Sequence, residues 1–333
     1  MGCMFYAREN EEAAASCWQL AVSRNPEFAA AHRALAQVLF EAYDDISGAK
    51  RELERALACC RAARIFYEKY QLEKVTGASG KELLRLLEDN ADLVERRQDL
   101  TLQYIEQLSR AGRLEEAKAL LDRGRFYSYE GGEGHLPNLH AFVHIAMGWE
   151  CLEKGGGKEA LSLFQYADEY PAHYHEGRKY QEKIAHLHYF LSLGYEAAGD
   201  TDNAKRELAL ACKQYDGQGE SQYFKGLALR KSGDYRAAAE IFRELEREGR
   251  RLLASDTLQF FLGFPAALPY EQSQKRTLEK MGKEALFYAA LGQGETDRAI
   301  RTAQEMKKKG LSTVWVDYLA KRAHRDDGRA DFL

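Results

Sequence analysis

The 333-residue sequence has little proline, no CxxC pair of cysteines, no long apolar run and no large excess of charge. Five prolines and a hydrophobic content of 45% are typical of an ordered helical protein. The six cysteines form no CxxC pair and no disulfide-rich pattern. We therefore expect reduced thiols, most of them buried.

The absence of long apolar runs and of excess charge excludes several classes of partner. No run of 18 apolar residues could span a membrane, and the amino terminus lacks the order of regions that marks a secretory signal. These absences predict a cytoplasmic location without membrane binding. The net charge of −4 gives no general attraction to nucleic acid, so none is expected as a partner.

What the sequence does contain is a recurring spacing of small and large residues. A small residue is followed about twelve positions later by alanine, then by a large apolar residue and by a second alanine. Clear copies are Gly148, Ala160, Phe164 and Ala167, then Gly226, Ala238 and Phe242. A further copy has Leu191 in place of the small residue, followed by Ala204, Leu208 and Ala211. Small residues let two antiparallel helices approach closely, and the large residue fills the gap. A period near ~34 residues predicts stacked hairpins, because one hairpin alone cannot cover its apolar faces.

The turns inside two copies strengthen this interpretation. Gly199-Asp200 and Gly233-Asp234 combine a glycine suited to a helix end with an aspartate suited to the next N-cap. Together with the spacing, they resemble the tetratricopeptide (TPR) repeat family over roughly four fifths of the chain. The resemblance implies an all-α fold, a TPR-like alpha-alpha superhelix or helical-hairpin solenoid of about seven to eight hairpins.

We predict one solenoid over residues 1–333. Its regular repeats are expected at 1–60, 97–124, 138–245 and 281–309, with a degenerate repeat at 61–96, an irregular insert at 252–280 and a capping helix at 311–323. The last helix carries Trp315, Tyr318 and Leu319. It is expected to cap the open end, because a terminal repeat has no neighbour to cover it.

A finer resemblance involves three segments, AVSRNPEFAAAHRALAQVLF, RFYSYEGGEG and YPAHYHEGRK. They resemble the carboxyl-terminal TPR region of large bacterial proteins in which a β-rich, sugar-enzyme-like amino-terminal domain of unknown function precedes the repeats. Since Met1 falls inside the first hairpin, we expect a fragment of something longer. The chain departs from that family at Ser128 and Tyr129, where the family has Pro-Trp.

Histidine spacing offers three candidate metal positions, and none is convincing. His140 and His144 lie four residues apart, but no HExxH motif accompanies them, which favours core or boundary histidines. His186 and His188 are two apart on a helix and point away from each other. The pair at 173 and 175, beside Glu176, lies in a loop, where histidines are usually solvated.

The glycine-rich segment at 130–134 follows no strand and lacks the Lys-Ser/Thr ending of a phosphate loop. It is interpreted as a structural turn or a partner-contact loop that leaves Tyr127, Tyr129, Glu130 and Glu133 available for hydrogen bonds. A glycosidase pair of Glu130 and Glu133 has little support, because such pairs are common among 52 acidic residues. We predict no catalytic residue, cofactor or metal.

The first helices of the hairpins are expected to line a concave groove. The predicted partner-binding residues are Phe142, Trp149, His186, Tyr189, Tyr223 and Arg230 in the groove, and Tyr127, Tyr129, Glu130, Glu133 and Glu176 in the loops. Earlier repeats offer Arg33, Gln37, Leu102, Glu106 and Arg110. Aromatic residues beside arginines resemble an interface core, although the groove residues could equally pack against adjacent hairpins.

This pattern predicts a non-catalytic scaffold for protein–protein interaction. Its partner would be a peptide segment or a neighbouring domain in the groove, including a covalently linked amino-terminal domain. The alternative is an accessory repeat domain of a carbohydrate-active bacterial protein. In that case the repeats would dock the catalytic domain, or the loops at 127–135 and 173–178 would contribute to a sugar site.

Overall fold

A computed structural model describes residues 1–127, 134–176, 184–214, 219–255 and 274–325. These residues form α-helices, one short 3-10 helix and connecting loops, without a strand among them. The predicted all-α fold of helical hairpins is confirmed over the described residues. The chain divides into two compact units, and the first contains residues 1–101. None of the described helices is both long enough and apolar enough to cross a membrane.

The first unit is a succession of helices, each packed on the next. They are α1 (Gly2–Tyr6), α2 (Glu11–Arg24), α3 (Ala29–Glu41), α4 (Ile46–Cys59), α5 (Ala63–Val75), α6 (Gly80–Glu88) and α7 (Ala91–Val94). Where the repeat pattern decays, the two expected helices are present as α5 and α6. Helix α6 begins with a capping box, in which Ser79 and Glu82 each bond the other's backbone N–H.

The second unit is also built of successive helices and contains the clearest hairpins. Helix α8 (Gln98–Ala111) begins in the first unit and is followed by α9 (Leu114–Arg123), α10 (His135–Glu153), α11 (Gly157–Ala167), α12 (Ala185–Ala197), α13 (Thr201–Lys213), α14 (Glu220–Lys231), α15 (Tyr235–Leu253), α16 (Gln274–Gly292), α17 (Thr296–Lys308) and α18 (Val314–Arg325). Helices α10, α12, α14 and α16 also contact one another in sequence. The first helices of successive hairpins therefore form a row.

The Gly-Asp turns have the predicted geometry. Gly199 and Gly233 have φ values of +85° and +91°, which glycine adopts without steric cost. The side chain of Asp200 accepts a hydrogen bond from the N–H of Asn203 at 3.1 Å, and Asp234 caps α15 through Ala237 at 2.9 Å. Each dipeptide thus ends one helix and starts the next.

The spacing of small and large residues reflects direct contact between the two helices of a hairpin. A Cβ atom added at Gly148 would lie 2.5 Å from Cε1 of Phe164, and one added at Gly226 would lie 2.5 Å from Cε1 of Phe242. Both phenylalanines are fully buried. Glycine is needed at these points because the ring occupies the space of a side chain.

Enlarging a small residue at such a contact is expected to destabilise the second unit. Ala160 is 0% exposed, so leucine at this position should lower the free energy of unfolding by ~1 to 3 kcal/mol through overpacking. Urea unfolding followed by circular dichroism measures the change. Ala209→Leu on the exposed side of α13 is the control. Equal stabilities of the two variants would show that the packing register is wrong.

The expectation of mostly buried thiols is wrong. Cys3, Cys59 and Cys60 are exposed, and the other three cysteines are half-buried. The small positions that the hairpins bury are occupied by alanine and glycine, whereas Cys59 and Cys60 lie at the end of α4. All six thiols are free.

Candidate partner-binding face

A cluster of aromatic residues in the second unit lies against its last described helix, α18. Helix α18 packs on α17 and also reaches the row of first helices. We define the α18-binding face by the residues that contact it from α8, α10, α12 and α14, namely Arg110, Phe142, Trp149, His186 and Phe224.

Trp315 occupies the centre of this face. Its ring contacts Phe142 edge-on at a centroid distance of 4.9 Å and Phe224 at 5.2 Å. The ring centroids of His186 and Phe190 lie 6.1 and 6.3 Å from that of Trp315. Rings within this range pack favourably beyond the area that they bury. Three first helices therefore converge on one indole, which is 5% exposed.

A second contact combines an aromatic ring with a cation. The guanidinium carbon of Arg322 lies 3.8 Å from the centroid of Trp149, close enough for a cation–π interaction. The same guanidinium forms an ion pair with Glu153 and donates to the Tyr318 hydroxyl at 3.2 Å. Tyr318 in turn donates to the carbonyl of Ala146 at 3.3 Å. The carboxyl half of α18 is thus held by polar as well as aromatic contacts.

Arg110 of α8 holds the amino end of α18. Its Nη1 donates to the carboxylate of Asp317 at 3.0 Å, and its Nη2 donates to Glu106 at 2.7 Å and to the carbonyl of Ser312. The Ser312 hydroxyl donates to the other carboxylate oxygen of Asp317 at 2.6 Å. Asp317 is 9% exposed, so this ion pair is shielded from solvent.

The local sequence explains why α18 presents these groups together. Thr313 starts the helix by accepting hydrogen bonds from the N–H groups of Val316 and Asp317. Trp315, Tyr318 and Arg322 are spaced i, i+3 and i+7, which places them on one side of an α-helix. The predicted end cap therefore does contact α17, and its aromatic residues also lie across three first helices.

Three of the predicted groove residues, Phe142, Trp149 and His186, belong to the α18-binding face. The other three each pack on a residue of a later helix of the same unit. Tyr189 contacts Phe224, Tyr223 stacks on Tyr288 at 5.4 Å, and Arg230 donates to the carbonyl of Gly292. Burial raises the pKa of both tyrosine hydroxyls. These contacts match the packing alternative, and a partner-binding role for the groove residues stays a prediction.

The two loops that interrupt the repeats meet in space. The ring of Tyr127, which is 64% exposed, is parallel to that of His175 with centroids 5.4 Å apart. The carboxylate of Glu176 accepts a hydrogen bond from the N–H of Gly134 at 3.0 Å. The remaining predicted loop residues, Tyr129, Glu130 and Glu133, lie outside the described residues. A contact or sugar-binding role for these loops stays a prediction.

The histidines predicted to lie in the core are buried. His140 is bonded through Nδ1 to the Tyr174 hydroxyl at 3.0 Å and through Nε2 to the carbonyl of Tyr166 at 2.7 Å. His144 bonds the carbonyl of His140 at 2.8 Å. Burial lowers the pKa of His140 to about 4 and also lowers that of His144. Both rings act as neutral packing elements between α10 and α11.

No family model matches the sequence. Among solved structures, the chain is similar to yeast Tom70 with 12% identity and a TM-score of 0.29, over 98% of this chain and 88% of that chain. It is also similar to the TPR domain of P58(IPK) with 14% identity and a TM-score of 0.24, over 97% of this chain and 95% of that chain. These scores are too low to bear on partner or activity, so the fold assignment rests on the helices and turns described above.

Proposed function

We propose that the protein is a non-catalytic interaction scaffold that binds a helical segment of a protein partner at the α18-binding face. The observation that supports this function is that a helix of the chain itself, α18, already occupies that face. Because α18 is held by side chains from four earlier helices, the face has the shape and chemistry of a helix-binding groove. A partner helix would take the place of α18.

The contacts of α18 define what such a partner must carry. A large aromatic side chain would fill the pocket of Trp315, and a carboxylate near it would pair with Arg110. About two turns after the aromatic residue, a guanidinium would lie over Trp149 and pair with Glu153. Aromatic and arginine anchors of this kind supply most of the affinity in helix-in-groove interfaces.

Helix α18 would compete strongly with any partner. A short connection joins it to α17, and a tethered segment of this kind has an effective concentration on the order of millimolar. A partner must therefore bind more tightly than α18 does, or α18 must first be weakened. We therefore expect the α18-binding face to bind a partner helix more tightly when the docking of α18 is weakened.

The test uses charge reversal in the full chain. Glu153→Arg opposes Arg322 with a like charge and weakens the docking of α18, while Glu153 is exposed enough to accept the change. A labelled peptide of residues 311–325 carrying Arg322→Glu should then bind this variant at least about tenfold more tightly than it binds the wild-type chain. Fluorescence anisotropy measures both affinities.

Glu159→Arg, which makes the same change of charge at an exposed position of α11, is the matched control and should behave like the wild-type chain. The unmodified 311–325 peptide should show little gain with the Glu153→Arg variant. If the variant keeps its helicity and binds both peptides equally weakly, the face does not recognise a helix in trans and the proposed function fails.

A further inference from the structure

Two arginines of the first unit share a single buried carboxylate. Nε of Arg33, on α3, lies 2.5 Å from one oxygen of Glu68, and Nε of Arg64, on α5, lies 2.7 Å from the other. The Glu68 side chain is 2% exposed, whereas those of the arginines are 39% and 41% exposed. The carboxylate therefore anchors two guanidinium groups from successive first helices at one solvent-accessible point.

The carboxylates of Glu240 and Glu246 also pair with two arginines each, but their side chains are 50% and 20% exposed, whereas that of Glu68 is buried. Some other arginines pair with one carboxylate each. Arg97 binds Asp99 with Nε and Nη2 together, and Arg113 binds Glu116 in the same way, so each of those charges is matched. At Glu68 two positive charges share one negative charge. Within the described residues, neither Arg33 nor Arg64 has another hydrogen-bond partner, so the Nη donors of both remain available.

We propose that Arg33 and Arg64 form a binding site for a carboxylate side chain of an acidic peptide segment. Guanidinium groups bind carboxylates with paired, charge-assisted hydrogen bonds, and two anchored groups hold their donors ready without further ordering. The single excess positive charge matches a carboxylate monoanion better than a phosphate dianion. Because this site lies in the first unit, it is independent of the α18-binding face, and either proposal can fail without the other.

The direct test measures binding of a labelled glutamate-rich peptide to the full chain, with its glutamine counterpart as reference. The triple variant Arg33→Gln, Arg64→Gln, Glu68→Gln removes the whole triad without leaving a buried charge unpaired, so the fold should persist. We expect the glutamate peptide to bind this variant at least about tenfold more weakly, and binding to the wild-type chain to weaken with added salt. Arg85→Gln, at an exposed arginine of α6, is the control and should change nothing.

A second variant shifts the affinity in the opposite direction. Glu68→Gln removes the matching negative charge and keeps both arginines, so it should bind the glutamate peptide several-fold more tightly than the wild-type chain. A purely structural triad would show no such gain. Equal binding of the glutamate and glutamine peptides to the wild-type chain, or unchanged binding of the glutamate peptide to the triple variant, would overturn the proposal. Binding of inorganic phosphate at this site without binding of the peptide would overturn the choice of ligand.

Discussion

Replacing Trp315 with alanine is expected to lower the free energy of unfolding of the second unit by about 3 to 5 kcal/mol. The indole is 5% exposed and contacts rings from α10, α12 and α14, none of which could move inward without disturbing its own hairpin. The substitution would therefore leave a cavity at the centre of the α18-binding face. Urea unfolding followed by circular dichroism measures the loss.

Tyr235→Ala is the matched control for this experiment, because Tyr235 is a large aromatic residue of the same unit that is 70% exposed. Its removal should cost less than about 1 kcal/mol. Hydrogen exchange adds a local measurement, since residues 314–325 should lose protection first when their main anchor is removed. A Trp315→Ala variant as stable as the control would mean that α18 does not rest on the first helices in solution.

Acidification is expected to destabilise the second unit through its buried histidines. Burial lowers the pKa of His140 and of His186 from 6.5 to about 4. Above pH 6.5 these histidines are neutral in both the folded and the unfolded chain, so they make the free energy of unfolding independent of pH in that range. Between about pH 6.5 and 4 the unfolded chain binds protons that the folded chain cannot, so stability falls as the pH falls. The full loss is about 3 kcal/mol for each ring.

His186 gives the cleanest test of this pH dependence. Its ring faces Trp315, and its Nδ1 is buried without a hydrogen-bond partner in the described part of the chain. His186→Leu should leave stability at pH 7.5 nearly unchanged and reduce the slope of unfolding free energy between pH 6 and 4.5. His324→Gln, at an exposed histidine of α18, should leave the slope unchanged. Parallel pH profiles for wild type and His186→Leu would contradict this origin of the acid sensitivity.

The hairpins were predictable because their information is local. Gly226 and Phe242 lie sixteen positions apart, within one hairpin, and the dipeptide Gly233-Asp234 between them marks the turn directly. The burial of His144 followed from the same reasoning, since its position in the repeat packs a helix against its neighbour. Helix periodicity and turn chemistry act over short distances, so the sequence reports them without an alignment.

The candidate sites depend on pairs that no local pattern connects. Asp317 meets Arg110 across 207 positions, and Arg33 meets Glu68 across 35. The apolar side of α18 was recognisable from Trp315 and Tyr318, but nothing in that segment identifies the rings that it covers. Such contacts depend on how successive hairpins are rotated, which is the sum of many small packing angles.

By itself, the sequence determined that this chain is built of helical hairpins, because small residues at fixed spacing let two helices approach closely while a large residue fills the gap between them. The tertiary structure alone decided which surface is covered. It places α18 across the first helices of the second unit and joins Arg33 and Arg64 on one buried carboxylate in the first. The physical reason is that each of these surfaces forms only when side chains distant in sequence are brought together by packing.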